Sequence, residues 1–402
     1  MAEWTFYAAR GIVSYDRLGK AFFDPEQIEE GLIIGLMPQI ILTPDAQNPE
    51  VIDSLSEYLR SKEINGVPLK ITAHGKGQFV DSELPLIEQS IDAIIELNKK
   101  RGESLFKEIV FHAGAVHTFE KECNLRAQPE YHGYSNLDAT FTLRDYFESL
   151  NNIKSVMIKA SEYAVESGID LIIENVGQVN YAVVPSQKAE DKSEDLRKDI
   201  RWADTIWLPE ALQVGDVGCV NDLDFLTGGK LPICIDIEHL GQSAEYSQDY
   251  NLMKYDAGDI TEEEQKMLDD FGIFIREGYP VLYENPVDFA EIIRRFEGRI
   301  PICHIGGQVD MVYDDEGILK IGSHMPVTFG QDPNEYIEDD GLRLRENAMR
   351  QEKLEKYLRA LHDAGCRSGV LELYQGPCHV GDKWRFYNEL SLKNVKSIID
   401  RF

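Results

Sequence analysis

The sequence predicts an α/β fold, a (β/α)8 TIM barrel with long insertions in the loops that follow the strands. Short apolar runs alternate with longer segments of helical periodicity, and eight such units can be counted along the 402 residues. Eight units favour a closed barrel, and no G-x-G-x-x-G motif follows the first strand to favour the alternative, a doubly wound open sheet. We therefore expect one barrel domain over residues 1–402.

The eight candidate strands are short apolar runs. In chain order they are residues 4–9, 38–43, 68–73, 108–112, 170–174, 232–236, 300–304 and 368–373. Helical spacing of apolar residues marks the segments between them, most clearly 48–62, 84–100, 155–167 and 346–365. The last of these helices should end on Gly365, because glycine is the residue that most readily closes a helix in a left-handed conformation.

Four segments interrupt the regular spacing of the units. They lie near residues 113–140, 178–230, 240–285 and 306–345, and they are polar, acidic and rich in Gly, Pro and Asn. Such composition is typical of surface segments that bury little apolar area. We interpret all four as insertions in the barrel loops and not as separate domains.

The charge and the cysteines limit the class of protein. Asp and Glu number 71 and Lys and Arg 41, a net charge of -30, which disfavours nucleic acid as a partner because lysine and arginine supply the affinity for phosphates. A local basic groove is still compatible with an acidic body. The N-terminus lacks the features of a secretory signal and no apolar run is long enough to cross a membrane, so we expect a cytoplasmic protein. Six widely spaced cysteines without a C-x-x-C pair indicate reduced thiols. The oligomeric state stays open, with a homo-oligomer among the alternatives.

The last residues of six consecutive strands share one chemical property, since each can bind a metal ion. In chain order they are His74, His112, Glu174, Asp236 (followed closely by His239), His304 and Glu372. A single histidine or glutamate at such a place is usually a core residue or a helix cap. Six in succession are hard to attribute to chance, and in a (β/α)8 barrel all strand ends converge on the face that carries the active site. The pattern therefore predicts a shared metal site.

These residues and their neighbours resemble the xylose isomerase-like TIM barrels. That group includes endonuclease IV, the second class of apurinic endonucleases, and the sugar and sugar-phosphate isomerases and epimerases. The resemblance runs from about the third strand to the eighth. It depends on His74, H-A-G at 112–114, E-N at 174–175, I-C-I-D-x-x-H at 233–239, His304, G-S-H-M-P-V-T-F-G at 322–330 and L-E-L at 371–373. The motif I-C-I-D-x-x-H is the most specific of these.

The two branches of this group imply different metal sites. The isomerase branch implies one metal held by Glu174, Asp236, His304 and Glu372, with His239 facing the substrate. The endonuclease branch implies a trinuclear zinc cluster that also uses His74, His112, His239 and His324. Its remaining ligand would be an aspartate two residues before His324, where this chain has Gly322. The chain thus departs from the endonuclease pattern at one ligand.

The donor types support a metal-dependent enzyme. Carboxylates mixed with imidazoles suit Mn, Co, Zn or Fe better than Ca. A metal between Glu174 and Glu372 would polarise a carbonyl and its neighbouring hydroxyl, while one glutamate removes a proton from carbon and the other returns it. The first hypothesis is accordingly a divalent-metal-dependent isomerase or epimerase of a small sugar or sugar phosphate, favoured by the acidic charge and by Gly322.

Two other hypotheses stay open. One is an endonuclease IV-like phosphodiesterase that acts on apurinic DNA, supported by His74, His112 and His324. The other is a barrel without catalysis that serves as a binding protein. This third hypothesis is the weakest, because the candidate ligands include both glutamates that catalysis would use.

Overall fold

A closed barrel of eight parallel strands forms the centre of the computed structural model. The structure describes residues 3–61, 63–64, 67–77, 79, 83–102, 105–113, 143–175, 181–183, 205–207, 221–240, 261–271, 273–276, 279–282, 288–307, 312–313, 319–320, 326–327, 351–373 and 382–402. Each barrel strand pairs with its neighbours in the chain, and the eighth pairs with the first. The (β/α)8 barrel that the sequence predicts is therefore confirmed.

Apart from the third, the barrel strands begin and end close to their predicted bounds. They are β1 Thr5–Arg10, β2 Met37–Ile41, β3 Thr72–His74, β4 Glu108–His112, β5 Asp170–Glu174, β6 Ile233–Asp236, β7 Ile302–Ile305 and β8 Ser368–Leu371. The register places His112 opposite Glu174 and Asp236 opposite His304. The ends of β4 and β5 are thus level, and so are Asp236 and His304, while Glu174 lies opposite Cys234, two residues before Asp236. All four side chains lie at the same end of the barrel.

Helices follow the strands along the chain. They are α1 Glu26–Ile33, α2 Pro49–Arg60, α3 Leu84–Arg101, α4 Leu143–Glu166, α5 Asn221–Leu226, α6 Glu262–Phe271, α7 Phe289–Arg295, α8 Gln351–Asp363 and α9 Asp382–Ile399. Asn48 caps α2 by accepting a hydrogen bond from the Glu50 N–H. Gly365 closes α8 with a φ of 95°, as predicted. Among the described helices, none is both long and apolar enough to span a membrane.

The third strand differs from its prediction. The apolar pattern predicts a strand over residues 68–73, whereas β3 covers only Thr72–His74. Val67–Pro68 instead pairs with Glu63–Ile64 in a short antiparallel hairpin. Pro68 has no N–H to donate to a barrel ladder, and an apolar pattern reports burial without reporting which strand is the partner.

Other short antiparallel pairs were also not predicted. They join residues 13–15 with 21–23, 181–183 with 205–207, 273–276 with 279–282, and 312–313 with 319–320. The last three pairs lie within the segments interpreted as insertions. These pairs contain only two to four residues a strand, too few for a periodic pattern to stand out in the sequence.

An apolar layer fills the barrel interior directly beneath the predicted site. Tyr7, Ala9 and Val110 belong to this layer, and it continues through one residue of each of the last four strands. Those four residues are Ile172, Cys234, Ile302 and Val370. Each lies two positions before Glu174, Asp236, His304 or Glu372, respectively. Because side chains alternate between the two faces of a strand, the candidate ligands share the inward face with the apolar layer.

Two of the cysteines act as small buried apolar residues. Cys234 belongs to the interior layer, and Cys303 faces the shell between barrel and helices. Both thiols are free and fully buried. Their contribution is therefore packing in the core.

Candidate metal centre

The carboxylate of Glu174 is the centre of the site. It is fully buried at the end of β5. On one side, Nε2 of His74 lies 3.1 Å and Nε2 of His112 lies 3.6 Å from Oε2. On the other side, Nδ1 of His304 lies 3.0 Å and Nδ1 of His239 lies 3.8 Å from Oε1. The structure therefore brings four predicted histidines around one predicted glutamate.

Four of the predicted residues form a compact set of donors, called here the four-ligand group. It consists of Glu174, Asp236, His304 and Glu372, and one donor atom of each lies within 4.8 Å of the others. Nδ1 of His304 is also 2.8 Å from Oε2 of Glu372. These residues come from the carboxyl ends of β5 to β8 and are the ones that the sequence resemblance implies for a single metal.

The hydrogen bonding of the four-ligand group fits a cation. Oε1 of Glu174, Oδ2 of Asp236 and Nδ1 of His304 are buried, and none makes a hydrogen bond of normal geometry within the part of the chain that the structure describes. Buried polar atoms nearly always have such a partner, and leaving a buried carboxylate oxygen without one is costly. A divalent ion among these oxygen and nitrogen donors would satisfy all three atoms, and the mixture suits Mn, Co, Zn or Fe.

Local backbone structure explains how Asp236 presents one oxygen to the site. Its Oδ1 accepts hydrogen bonds from the N–H groups of Glu238 and His239, at 2.7 Å and 3.1 Å, and so caps the turn after β6. The side chain of Asn175 makes two hydrogen bonds to the backbone of Asp236. Its Oδ1 accepts from the Asp236 N–H at 2.8 Å, and its Nδ2 donates to the Asp236 carbonyl at 3.1 Å. Oδ2 consequently faces the four-ligand group.

His239 lies beside Asp236 because that turn brings it back over the end of β6. Its Nδ1 donates to the Asn175 carbonyl at 3.0 Å and lies 3.3 Å from Oδ2 of Asp236. Burial opposes the charged form of the ring, but the carboxylates of Asp236 and Glu174 outweigh burial and raise the pKa of His239. The motif I-C-I-D-x-x-H thus places the aspartate and the histidine in one site.

The charges in the site depend on one another. Burial by itself would raise the pKa of Glu174, but the charges of the neighbouring His304 and His112 hold that pKa well below its ordinary value. Burial lowers the pKa of His304, yet Cys234, Glu174 and Glu372 together raise it well above the usual range. Because burial raises the pKa of the Cys234 thiol to about 12, the thiol is uncharged at neutral pH and the two glutamates supply the negative charge.

A second set of donors shares Glu174 with the first. It consists of His74, His112 and Glu174, whose donor atoms also lie within 4.8 Å of one another. Nδ1 of His74 donates to the Gly75 carbonyl at 2.9 Å, and Nε2 is the ring nitrogen that faces Glu174, at 3.1 Å. His112 has 42% of its side chain exposed. Its partial burial lowers its pKa, and the charge of Glu174 opposes that shift.

One predicted ligand cannot be located in this site. His324 lies outside the described residues, as does Gly322, where the endonuclease pattern has an aspartate. The third position of the trinuclear cluster therefore stays a prediction from the sequence.

Sequence reasoning missed two buried polar residues near the site. Gln39 of β2 is fully buried, with its Nε2 3.2 Å from Nε2 of His304. Glu238 is also fully buried, with its carboxylate against Gly306 in the loop after β7. A polar residue within the apolar run PQIILT was the available signal for Gln39, because a buried amide needs a polar partner.

The contact between Gly306 and Glu238 gives a testable expectation for stability. A Cβ added at Gly306 would lie 2.0 Å from Cδ and 2.3 Å from either carboxylate oxygen of Glu238. Because this carboxylate is buried and has little room to move, we expect Gly306→Ala to lower the free energy of unfolding by about 1–3 kcal/mol, as overpacking usually does. Urea titration followed by circular dichroism measures the change.

A double variant and a control define this test. Glu238→Ala removes the obstacle, so adding Gly306→Ala to it should cost less than Gly306→Ala costs in the wild type. Gly11→Ala is the control, since no described atom outside its chain neighbours lies within 4 Å of a Cβ there. Equal stability of Gly306→Ala and the wild type would contradict the expectation.

Comparison with known proteins gives matches only among solved structures. No protein-family model and no curated protein sequence matches the chain. Among solved structures, endonuclease IV from Thermus thermophilus is 13% identical with a TM-score of 0.43, over 99% of this chain and 100% of that one. L-ribulose 3-epimerase is 10% identical with a TM-score of 0.48, over 98% and 96%. The IolI protein with a bound zinc atom is 12% identical with a TM-score of 0.45, over 98% and 99%.

The matched structures are xylose isomerase-like TIM-barrel proteins, the group that the sequence resembles. Identities of 10–14% and TM-scores below 0.5 lead to no conclusion about activity.

Proposed function

We propose that the protein is a divalent-metal-dependent isomerase or epimerase of a small sugar or sugar phosphate. The observation that supports this proposal is the four-ligand group. Four donors converge at the ends of consecutive strands, and three of their atoms are buried without a hydrogen bond to any described residue. Ionisable groups with perturbed pKa values at the carboxyl ends of barrel strands are typical of catalysis.

The four-ligand group would hold the ion. When bound there, a divalent ion would polarise a substrate carbonyl and its neighbouring hydroxyl, which makes the hydrogen on the adjacent carbon more acidic. Glu174 and Glu372 are the groups proposed to move that hydrogen. The lowered pKa of Glu174 keeps its carboxylate ionised at neutral pH, the form that a general base requires.

The positions of the two glutamates support a division of the proton transfer between them. Glu174 comes from β5 and is fully buried, whereas Glu372 follows β8 and has 20% of its side chain exposed. Nδ1 of His304 lies between them, 3.0 Å from one carboxylate and 2.8 Å from the other. In this proposal one carboxylate removes the proton from carbon and the other returns a proton, and epimerisation requires that they act on opposite faces of that carbon.

A small polyhydroxylated substrate also suits the surrounding histidines. His74, His112 and His239 border the four-ligand group, and their ring nitrogens can hydrogen-bond sugar hydroxyls. The net charge of -30 disfavours a DNA duplex by repulsion of its phosphates.

The test is exchange of carbon-bound hydrogen with solvent. The protein is incubated in D₂O with Mn²⁺, Co²⁺ or Zn²⁺ and a panel of ketoses, aldoses and sugar phosphates, and NMR records deuterium on carbon. We expect exchange with at least one sugar, and only with metal present. If no sugar exchanges hydrogen while an oligonucleotide with an abasic site is cleaved in a metal-dependent way, the isomerase proposal is wrong.

The group of His74, His112 and Glu174 favours a second candidate function. Two metals sharing Glu174 would suit phosphodiester hydrolysis, which needs a bound hydroxide and stabilisation of the leaving oxygen. An endonuclease IV-like phosphodiesterase is therefore the alternative.

Replacing the two histidines of this second group separates the alternatives. For the mononuclear isomerase, we expect His74→Gln and His112→Gln each to leave the metal count unchanged. Each variant should weaken substrate binding about threefold to tenfold, the usual effect of one lost hydrogen bond. Elemental analysis counts the metal and steady-state kinetics measures binding. His362→Gln is the control, because His362 lies on α8 beside Phe402, away from the site. A lower metal count in either site variant would favour the phosphodiesterase.

A further inference from the structure

We propose that Gln39 is a positioning residue that holds the ring proton of His304 on Nε2 and so leaves Nδ1 available to the metal. This inference depends on the proposed metal site. Gln39 lies on β2 and His304 on β7, two strands that are not neighbours in the barrel. Their side chains meet in the barrel interior, where both are fully buried.

The position of each ring nitrogen of His304 defines its task. Nδ1 lies among the carboxylates, 3.0 Å from Oε1 of Glu174 and 2.8 Å from Oε2 of Glu372. Nε2 lies 3.2 Å from the side-chain amide of Gln39. A neutral imidazole has one N–H and one lone pair, so binding a cation through Nδ1 requires the proton on Nε2. That proton then needs an acceptor, and the amide of Gln39 is the group in place.

The orientation of the amide follows from the same requirement. With Nε2 of Gln39 towards the ring, its N–H donates to the lone pair of His304 Nε2. The ring proton is then on Nδ1, among the carboxylates where the cation would bind. Oε1 of Gln39 meanwhile makes no hydrogen bond to any residue that the structure describes. The oxygen and nitrogen of an amide differ little in shape, so turning the amide by 180° lets Oε1 accept from the Nε2–H of His304. The metal-bound state requires this second orientation.

The expected size of the effect follows from other metal sites. Histidine ligands commonly donate their second N–H to an acceptor that fixes the tautomer and the ring orientation. Removing that acceptor typically costs about 10–100-fold in metal affinity. We therefore expect Gln39→Met, which keeps the side-chain volume and removes the acceptor, to bind Zn²⁺ about 10–100-fold more weakly than the wild type. Gln39→Glu keeps a hydrogen-bond acceptor at this position. Its Zn²⁺ affinity should therefore lie within about threefold of the wild-type affinity.

Competition with a chromophoric chelator measures the zinc affinity of each purified full-length variant. Gln47→Met is the matched control. Nε2 of Gln47 donates to the Leu42 carbonyl and to Oγ of Ser90, both at 3.0 Å, and not to a candidate ligand. Its replacement should change stability and leave zinc affinity unaltered. Thermal melting of the metal-free Gln39 variants checks that they fold.

A spectroscopic readout tests the position of the proton directly. In ¹⁵N-labelled wild-type protein loaded with Zn²⁺, NMR shifts of the imidazole nitrogens should show Nε2 of His304 protonated and Nδ1 bound to zinc. Zinc on Nε2 would overturn the inference, even if Gln39→Met did not fold.

The outcomes separate this inference from the proposed function. If Gln39→Met binds Zn²⁺ as tightly as the wild type while Asp236→Ala does not bind it, Gln39 has no positioning role and the metal site is retained. If the wild-type protein binds no stoichiometric metal, or if Asp236→Ala keeps it, both the metal site and the role of Gln39 are wrong. Weak Zn²⁺ binding by both Gln39→Met and Gln39→Glu would also contradict the inference, because a hydrogen-bond acceptor at position 39 would then not be sufficient for tight binding.

Discussion

Replacing Glu372 or Glu174 by Gln is expected to reduce turnover by about 10²–10⁴-fold, the usual contribution of a positioned acid or base. Glutamine keeps the volume and one oxygen donor of the side chain but has no basic carboxylate. The loss should therefore appear in the rate constant of the chemical step and not in folding. Hydrogen exchange at the substrate carbon, followed by NMR at saturating metal, measures that step once a sugar substrate has been found.

Glu372→Gln is the cleaner of the two variants. Oε2 of Glu174 also lies 3.1 Å from Nε2 of His74, so a change at Glu174 alters the surrounding histidines as well. Glu372 follows β8 at the more exposed side of the site. We therefore expect Glu174→Gln to be less stable than Glu372→Gln, while the two variants lose turnover to a similar extent.

A matched control is available on α9. Glu389 pairs with Arg385 at 3.2 Å, is half exposed and lies on a helix outside the barrel. The Glu389→Gln variant should catalyse hydrogen exchange at the substrate carbon at the wild-type rate. If Glu372→Gln and Glu174→Gln also retain that rate, neither glutamate transfers the proton and the proposed mechanism fails.

The second large effect is expected for Asp236→Ala, which should lose the bound metal and with it the activity. Oδ2 of Asp236 is buried without a hydrogen-bond partner among the described residues, so a cation is the natural partner for its charge. The structure adds a cost to stability, because Oδ1 caps the turn that carries Glu238 and His239. Loss of such a cap typically costs about 0.5–2 kcal/mol. The variant should fold, with a lower free energy of unfolding.

Asp236→Asn separates the two roles of this side chain. An asparagine keeps the oxygen that caps the turn and removes the negative charge from the site. We expect the free energy of unfolding to stay near the wild-type value while metal affinity falls. Elemental analysis after dialysis measures the metal, and urea titration measures the stability.

Asp224→Ala is the control for metal loss. Asp224 lies on α5, is half exposed and pairs with Arg299 at 2.5 Å. Its replacement should leave the metal content unchanged. Full retention of metal by Asp236→Ala would show that the metal binds elsewhere.

The sequence alone determined the barrel and the candidate residues. Apolar runs and helical segments alternate eight times, and in this fold the order of strands in space is their order in the chain. Residues at strand ends could therefore be assigned to one face before any distance was known. Strand bounds were less certain, as β3 shows, because burial and strand pairing leave the same apolar signal in the sequence.

Only the tertiary structure decided how those residues combine. Glu174 belongs to both donor sets, and this follows from the register that levels the ends of β4 and β5 and from the direction of its side chain. Gln39 and His304 are 265 positions apart, and they meet because the barrel closes. The carboxylate of Glu238 occupies the space that a side chain at position 306 would fill, and this contact also depends on the tertiary structure. A periodic pattern shows which face of a strand a side chain occupies, but distances across a barrel depend on closure, register and rotamers, which no local stretch of sequence contains.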